Sequence, residues 1–269
     1  LDYYDKRLLP TYDIFDEDRY FTPGDRTVVI EVMGTKVGLT ICEDLWKGED
    51  AGFASHYSSA PDPVAQVVKA GAEVIVAASA SPFVLGKSPR HRAILKKHAM
   101  THGVYVASVN QVGGDDELIF DGHAAAYAPS GELIAAGPGF EEAITFVDVP
   151  SSAPTVADPV ATKSDEEHLF RALVLGVRDY CRKTGFKKAL LGLSGGIDSA
   201  VTAALACAAL GPENITGVAL PGPYSSEHSK TDAYELAKRL GMKCITVPIA
   251  PMFDGAVSTL DPAMVAVEA

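Results

Sequence analysis

No stretch of the chain approaches the roughly 20 consecutive apolar residues that a membrane span needs, so a protein that crosses a bilayer by helices is excluded. Cysteine is scarce. The four present (Cys42, Cys181, Cys207 and Cys244) lie far apart without a CxxC pair. That argues against a zinc or disulfide framework and points to a reducing, cytoplasmic setting. Positive charge is in deficit: 23 Lys and Arg face 35 Asp and Glu, for a net charge of −12. Non-specific nucleic-acid binding is therefore not expected, although a local basic site for phosphates is compatible with this balance. Internal repeats and low-complexity tracts are missing, and so are an initiator Met and the basic, then apolar start of a signal peptide. Both ends read as cut, so the chain is expected to be an internal piece of something longer. What remains is 269 residues, 47% hydrophobic and 22% charged, the balance of a globular chain of two domains.

Residues 26–42 have the pattern of a hairpin, with β-branched 28–32, a Met33-Gly34 turn and a return over 36–41. Helical spacing over 64–70 ends at Gly71, and residues 73–78 form a short apolar run of the kind buried on both faces of a sheet. A helix is predicted over 87–102 and a strand over 104–109. A second hairpin follows, 123–128 and 132–136 around Pro129-Ser130-Gly131, with a closing strand over 144–149. Residues 150–164, rich in Pro, Ser, Ala and Thr, read as a linker. The predicted domains are thus 1–149 and 165–269, the second opening on a helix over 166–184 with Ser164 as N-cap and Glu167 at capping-box spacing. Beyond it, strand 189–193, helix 199–210, strand 215–220, helix 229–240 and strand 244–247 predict a doubly wound parallel sheet, with ligands at the carboxyl ends of its strands.

The first of those strand-to-helix turns reads Gly192-Leu193-Ser194-Gly195-Gly196-Ile197-Asp198-Ser199. Unpaired N–H groups and the positive end of a helix dipole meet there, which makes an anion site for phosphate. It is neither a Walker A loop nor a GxGxxG dinucleotide turn. Asp198 is the departure that matters, because a carboxylate beside phosphates needs a cation between them, so Mg²⁺ is expected at Asp198. This string resembles the pyrophosphate loop of the ATP pyrophosphatase superfamily, whose members adenylate a carbonyl or carboxylate oxygen so that nitrogen can displace AMP. The Ser-rich stretch 220–226 and the run 229–233 are similar to those of NAD synthetases. The resemblance implies ATP binding by Gly192, Leu193, Ser194, Gly195, Gly196, Ile197, Asp198 and Ser199.

In the first domain Cys42 ends a strand at a break in the pattern, followed by Glu43-Asp44, with Lys6 upstream. Most strand-end cysteines are buried apolar residues. A nearby ammonium, however, would lower the thiol pKa and favour the thiolate. Glu43 on its own residues would cap a helix or pair with Lys6. The segments 6–21 and 38–44, with 80–87 and 109–122, resemble the nitrilase-like glutaminase domain, an α-β-β-α sandwich. By that resemblance Cys42 attacks the amide carbon of glutamine, and Lys6 with a backbone N–H beside Cys42 stabilises the oxyanion. Tyr12, Ser81 and Lys87 align with glutamine-contacting positions, the last standing where relatives are expected to carry Arg. The family's general-base glutamate lies upstream of the lysine, where this sequence has only Asp2 and Asp5. No HExxH spacing suggests a metal centre in this domain.

Together the two resemblances imply an ATP- and glutamine-dependent ligase. Ammonia released at Cys42 would pass internally to adenylated deamido-NAD⁺, giving NAD⁺, glutamate, AMP and pyrophosphate. The alternatives are another glutamine- or ammonia-dependent amidotransferase of the same superfamily, acting on a nucleotide base or an amino acid, and a chain that only binds nucleotide. The 269 residues alone are expected to be inactive and to aggregate, and the full-length protein to be a homo-oligomer.

Overall fold

The computed structural model describes residues 3–150 and 155–268, with the side chains of 262–268 left aside. The chain divides into two compact units, which meet in sequence between Ala172 and Leu173.

The first unit is built on a six-stranded sheet. Strands β1 (Val29–Val32) and β2 (Thr35–Ile41) form the expected hairpin. Its two-residue tip places Met33 at φ 49° and Gly34 at φ 82°, the pair of left-handed residues that matches the natural twist of two strands. Helix α1 (Pro63–Lys69) begins on Asp62, whose carboxylate accepts from the Ala65 N–H at 3.0 Å. It leads to β3 (Val74–Ser79), α2 (Lys87–His102) and β4 (Tyr105–Asn110). Strands β2, β3 and β4 are parallel neighbours. Two strands the sequence reading did not separate, β5 (Val112–Asp115) and β6 (Leu118–Asp121), make a small antiparallel ribbon of their own. Strand β7 (Ala125–Tyr127) extends the main sheet antiparallel to β4, and β8 (Leu133–Ala136) follows antiparallel to β7.

Val64 and Val67 of α1 and Ile94, Leu95 and Ala99 of α2 pack onto Ile75, Ala77 and Val106 of the sheet, forming the main core. Each of these residues points to the same side because strand side chains alternate and helical ones recur every three or four positions. The expected closing strand over 144–149 does not form. Ile144 and Phe146 stand 84% and 89% exposed. Val147 leans on the small apolar patch of Ala126, Ala128, Ile134 and Ala135.

The two-unit division falls inside helix α3 (Asp165–Thr184) rather than in the Pro-rich stretch before it. The first turns of α3 belong with the earlier residues for a local reason. His168 Nε2 lies 3.3 Å from the Val160 carbonyl, and the Arg171 guanidinium donates to the Gly139 carbonyl at 3.4 Å and to Glu141 at 3.3 Å. Ser164 Oγ accepts from the Glu167 N–H at 3.3 Å, while the Glu167 carboxylate pairs with Lys163 instead of closing the capping box.

The second unit holds three parallel strands in the order β11-β10-β9. They are β9 (Ala189–Gly192), β10 (Ile215–Ala219) and β11 (Lys243–Thr246). Helix α4 (Ile197–Leu210) connects the first two and α5 (Glu227–Leu240) the last two. Their small residues Ala203, Cys207, Ala233 and Ala237 bury against Leu193, Ile215 and Met242. A longer helix, α6 (Ala250–Glu268), follows. No helix among the described residues is long and apolar enough to cross a membrane.

Candidate active site

Strand β2 delivers Cys42 at its carboxyl end, where the chain turns into a 3₁₀ turn over Cys42–Leu45. Cys42 has φ 46°, a left-handed conformation that costs a non-glycine residue about 1 kcal/mol and turns its side chain out of the sheet. The half-buried thiol lines a cleft of about 400 Å³ together with Lys6, Glu17, Phe15, Ile41 and Ala80. Thirty-odd residues separate Lys6 from Cys42 in sequence; a single carboxylate holds their segments together. Asp44, fully buried, accepts from the N–H groups of Arg7, Leu8 and Ile41 at 3.0–3.1 Å and from the Tyr4 hydroxyl at 2.8 Å.

Charge in this cleft is arranged differently from the expectation of a thiol simply activated by an ammonium. Lys6 Nζ sits on both oxygens of Glu17, at 2.7 and 2.8 Å. Burial pushes the Cys42 thiol up from its ordinary pKa. Lys6 and Lys87 pull it down and Glu43 pushes it further up, and burial wins. The net effect is to disfavour the thiolate at residue 42. The backbone of Ala80, which lines the same cleft, favours the thiolate slightly.

Glu43 neither caps a helix nor pairs with Lys6. Its carboxylate, 3% exposed, accepts from the Tyr12 hydroxyl at 2.7 Å. Burial raises its pKa to about 7; the Tyr12 bond opposes that, and the charge of Asp50 adds to it. The Tyr12 ring stacks on Phe53 with centroids 4.6 Å apart, and burial and Glu43 hold its phenol far above the ordinary range. Lys87, at the start of α2, lies 3.4 Å from Asp50, which also accepts from His91 at 2.8 Å. Burial works against the Asp50 charge, but His91 and Lys87 overcome it and lower its pKa. Ser81 is 4% exposed and lines a separate small polar cavity with Ser88, Asn110 and Asp121. Thus Lys6 and Cys42 share one cleft wall, while Tyr12, Ser81 and Lys87 surround it without lining it. Glu17 and Asp44 fall in the segments 6–21 and 38–44 that carry the resemblance, but no role was assigned to them from the sequence, and Asp50 carried no sequence signal.

In the second unit, a cleft of about 430 Å³ opens at the carboxyl ends of β9 and β10. Gly192, Leu193 and Ser194 form one wall; Leu220, Tyr224, Ser226, Ser229 and Lys230 form the other. Gly195, at φ 78°, is packed so closely on α5 that a Cβ there would meet the Ser229 carbonyl oxygen at 2.3 Å. The amino ends of α4 and α5 are thereby pinned side by side, which concentrates two positive helix ends. Hydroxyls occupy the loop: Ser194 Oγ accepts from the Gly196 N–H at 3.2 Å, and Ser199 Oγ accepts from the Ser194 N–H at 3.3 Å and donates to the Gly196 carbonyl at 2.9 Å. Residues 195–199 lie outside the cleft lining. Asp198 is exposed in the first turn of α4. Among the described residues no three His, Cys, Asp or Glu side chains gather to hold a metal. A lone exposed carboxylate beside an anion-binding turn suits Mg²⁺ bound mainly through phosphate and water, so the donor set fits that ion.

Residues 1–156, more than half of the chain, match the carbon–nitrogen hydrolase family, and the chain belongs to that family. Residues 169–268 match the NAD synthase family. The combination is that of the glutamine-dependent NAD(+) synthetases. The chain is 43% identical to the one from Synechocystis sp. over 266 residues, covering 98% of this chain and 47% of the relative. It is 37% identical to the Thermotoga maritima enzyme over 291 residues, covering 96% and 49%. The solved glutamine-dependent NAD⁺ synthetase of Acinetobacter baumannii, a complex with ADP, superposes with a TM-score of 0.82 at 33% identity, over 96% of this chain and 47% of that one. The chain spans about half the length of the curated relatives it matches.

Proposed function

We propose that this chain carries parts of both active sites of a glutamine-dependent NAD⁺ synthetase. The observation that carries the reading is the meeting of Lys6 and Cys42 on one cleft wall in a unit that belongs to the carbon–nitrogen hydrolases, followed in the same chain by a Gly/Ser turn at the rim of a parallel sheet.

In the first half-reaction the Cys42 sulfur attacks the side-chain amide carbon of glutamine. The C–N bond breaks, ammonia leaves, and water then cleaves the thioester to glutamate. Lys6 Nζ, fixed by Glu17, faces the oxygen on which charge develops, and a backbone N–H beside Cys42 is its second donor. Because burial disfavours the thiolate, attack is coupled to proton removal by a carboxylate that family resemblance places upstream of Lys6. Tyr12, Ser81 and Lys87 contact the amino-acid substrate, with Tyr12 held by Glu43 and Lys87 by Asp50.

In the second half-reaction Gly192, Leu193, Ser194, Gly195, Gly196, Ile197, Asp198 and Ser199 bind ATP. The similarity to an enzyme solved with ADP supports a nucleotide here. Asp198 would hold Mg²⁺, which neutralises phosphate charge when bound. The nicotinate carboxylate of deamido-NAD⁺ takes AMP from ATP and releases pyrophosphate; ammonia then displaces AMP. Ammonia must travel unprotonated, since ammonium has no lone pair to attack with. A homo-oligomeric parent protein and a reducing, cytoplasmic compartment complete the proposal; four free cysteines support the latter.

The test is NAD⁺ formation by the full-length protein that carries these residues. Cys42→Ala is expected to abolish synthesis from glutamine and to leave synthesis from ammonium salts intact. Loss of both would refute the division of labour.

A further inference from the structure

Strand β3 ends at Ser79, in register with Asn110, the last residue of β4. Between that pair and the bridge of Pro82 to Phe120 of β6, Ser81 is paired by the Asn110 side chain. Its Oδ1 accepts from the Ser81 N–H at 2.8 Å, and its Nδ2 donates to the Ser81 carbonyl at 3.0 Å, a reciprocal pair that mimics two rungs of a ladder. The second Nδ2 hydrogen goes to Asp121 Oδ1 at 3.0 Å. A carboxylate only accepts, so this bond fixes which way the amide faces. Asp121 is itself 6% exposed and held from two other directions, by Ser88 Oγ at 2.7 Å and His123 Nδ1 at 3.1 Å. What this assembly fixes is the Ala80–Ser81 peptide. Ala80 lines the cleft beside Cys42, and Ser81 is the next residue.

We infer that Asn110 and Asp121 are positioning residues for the nucleophile, acting through the Ala80–Ser81 segment to set where Ala80 stands in the cleft wall beside Cys42. The part that concerns glutamine affinity through Ser81 rests on the proposed function; the part that concerns the thiol does not. Neither residue touches the reacting atoms. Their effect is on how readily the sulfur carries negative charge and on where the segment beside it sits.

The experiment is the pH profile of Cys42 alkylation by iodoacetamide in the full-length protein that carries these residues, read at Cys42 by peptide mass spectrometry so that other cysteines do not contribute. Asn110→Asp keeps the acceptor for the Ser81 N–H but loses both donor bonds and places a second carboxylate against Asp121. Its alkylation rate near neutral pH is expected to fall roughly tenfold, with the profile displaced to higher pH. Asp121→Asn should give a smaller displacement in the same direction. Combining Asn110→Asp with Asp121→Asn restores a complementary donor–acceptor pair and should recover part of the loss, which a generally loosened fold would not. Profiles of the single variants that coincide with the wild type would overturn the inference. So would a double variant no better than Asn110→Asp. In the full-length protein, kcat/KM for glutamine should fall in parallel while ammonia-driven synthesis stays unchanged. If glutamine proves not to be a substrate, the alkylation profiles still decide the role of Asn110 and Asp121.

Discussion

Two clefts of similar size, about 400 and about 430 Å³, are built from opposite materials. The one that holds Cys42 has a lysine on a glutamate in its lining and, outside that lining, a buried carboxylate under a tyrosine and an aspartate between a lysine and a histidine. Almost every charge there is set by a neighbour, so its chemistry depends on side chains far apart in sequence. The cleft above β9 and β10 has almost no buried charge. It consists of backbone N–H groups, serine hydroxyls and two helix ends, drawn from residues 192–194 and 218–233. The first can be adjusted by protonation, the second only by moving backbone. Perturbations should therefore separate them.

The largest effect is expected from Gly195→Ala. A methyl group at φ 78° and 2.3 Å from the Ser229 carbonyl forces α4 and α5 apart. Strain of this kind costs about 1–3 kcal/mol, so calorimetry should find ATP affinity reduced by up to roughly 100-fold with Cys42 alkylation unchanged. Next comes Glu43→Gln. A buried carboxyl whose pKa is raised to about 7 binds a proton in the folded state that the unfolded chain has lost above its ordinary 4.5. Stability from this group is fully present below pH 4.5 and is lost as pH rises through 7, on the order of 3 kcal/mol in all. Thermal melts of Glu43→Gln, which keeps an acceptor for Tyr12, should show a shallower decline between pH 5 and 8 than the wild type. Lys6→Met removes a positive charge that favours the thiolate and leaves Glu17 unpaired. Cys42 alkylation at neutral pH should drop about tenfold, while nucleotide affinity is unaltered. The smallest effect is Ser194→Ala, which takes one hydroxyl from an exposed loop and should weaken ATP binding roughly threefold. Were Ser194→Ala to alter Cys42 alkylation, the contrast between the clefts would fail.

The same contrast explains what could be read from the amino-acid order. Helix α2 occupies the predicted 87–102, and α4, α5 and the Met33-Gly34 turn fall within two residues of expectation, since all depend on local periodicity or turn chemistry. The Gly/Ser loop was legible because its groups are consecutive. The β5–β6 ribbon was not: Gly113-Gly114 and Asp115-Asp116-Glu117 resemble loop composition, yet Val112 pairs with Asp121 and Gly113 with Phe120 across a turn with Asp116 at φ 54°. Residues 144–149 alternate like a strand yet find no partner to pair with, because periodicity alone supplies no neighbour. Helix α6, of which the sequence reading gave only a short further segment, starts with Pro251 in its first turn, where proline is tolerated, and carries Pro262 in its interior. Lys6 and Cys42 could be picked out by resemblance, whereas the roles of Glu17 and Asp50 and the burial that raises the thiol pKa belong to tertiary packing alone.

The carboxylate of Asp44 clasps stretches around residues 4–8 and 41 directly, so the spacing between lysine and thiol owes little to the chain that connects them. The β-hairpin tip, where Met33 is wholly exposed, is thus free to lengthen. A few glycines and serines inserted there would add only a fraction of a kcal/mol of closure entropy and leave sulfur and ammonium facing one another as before.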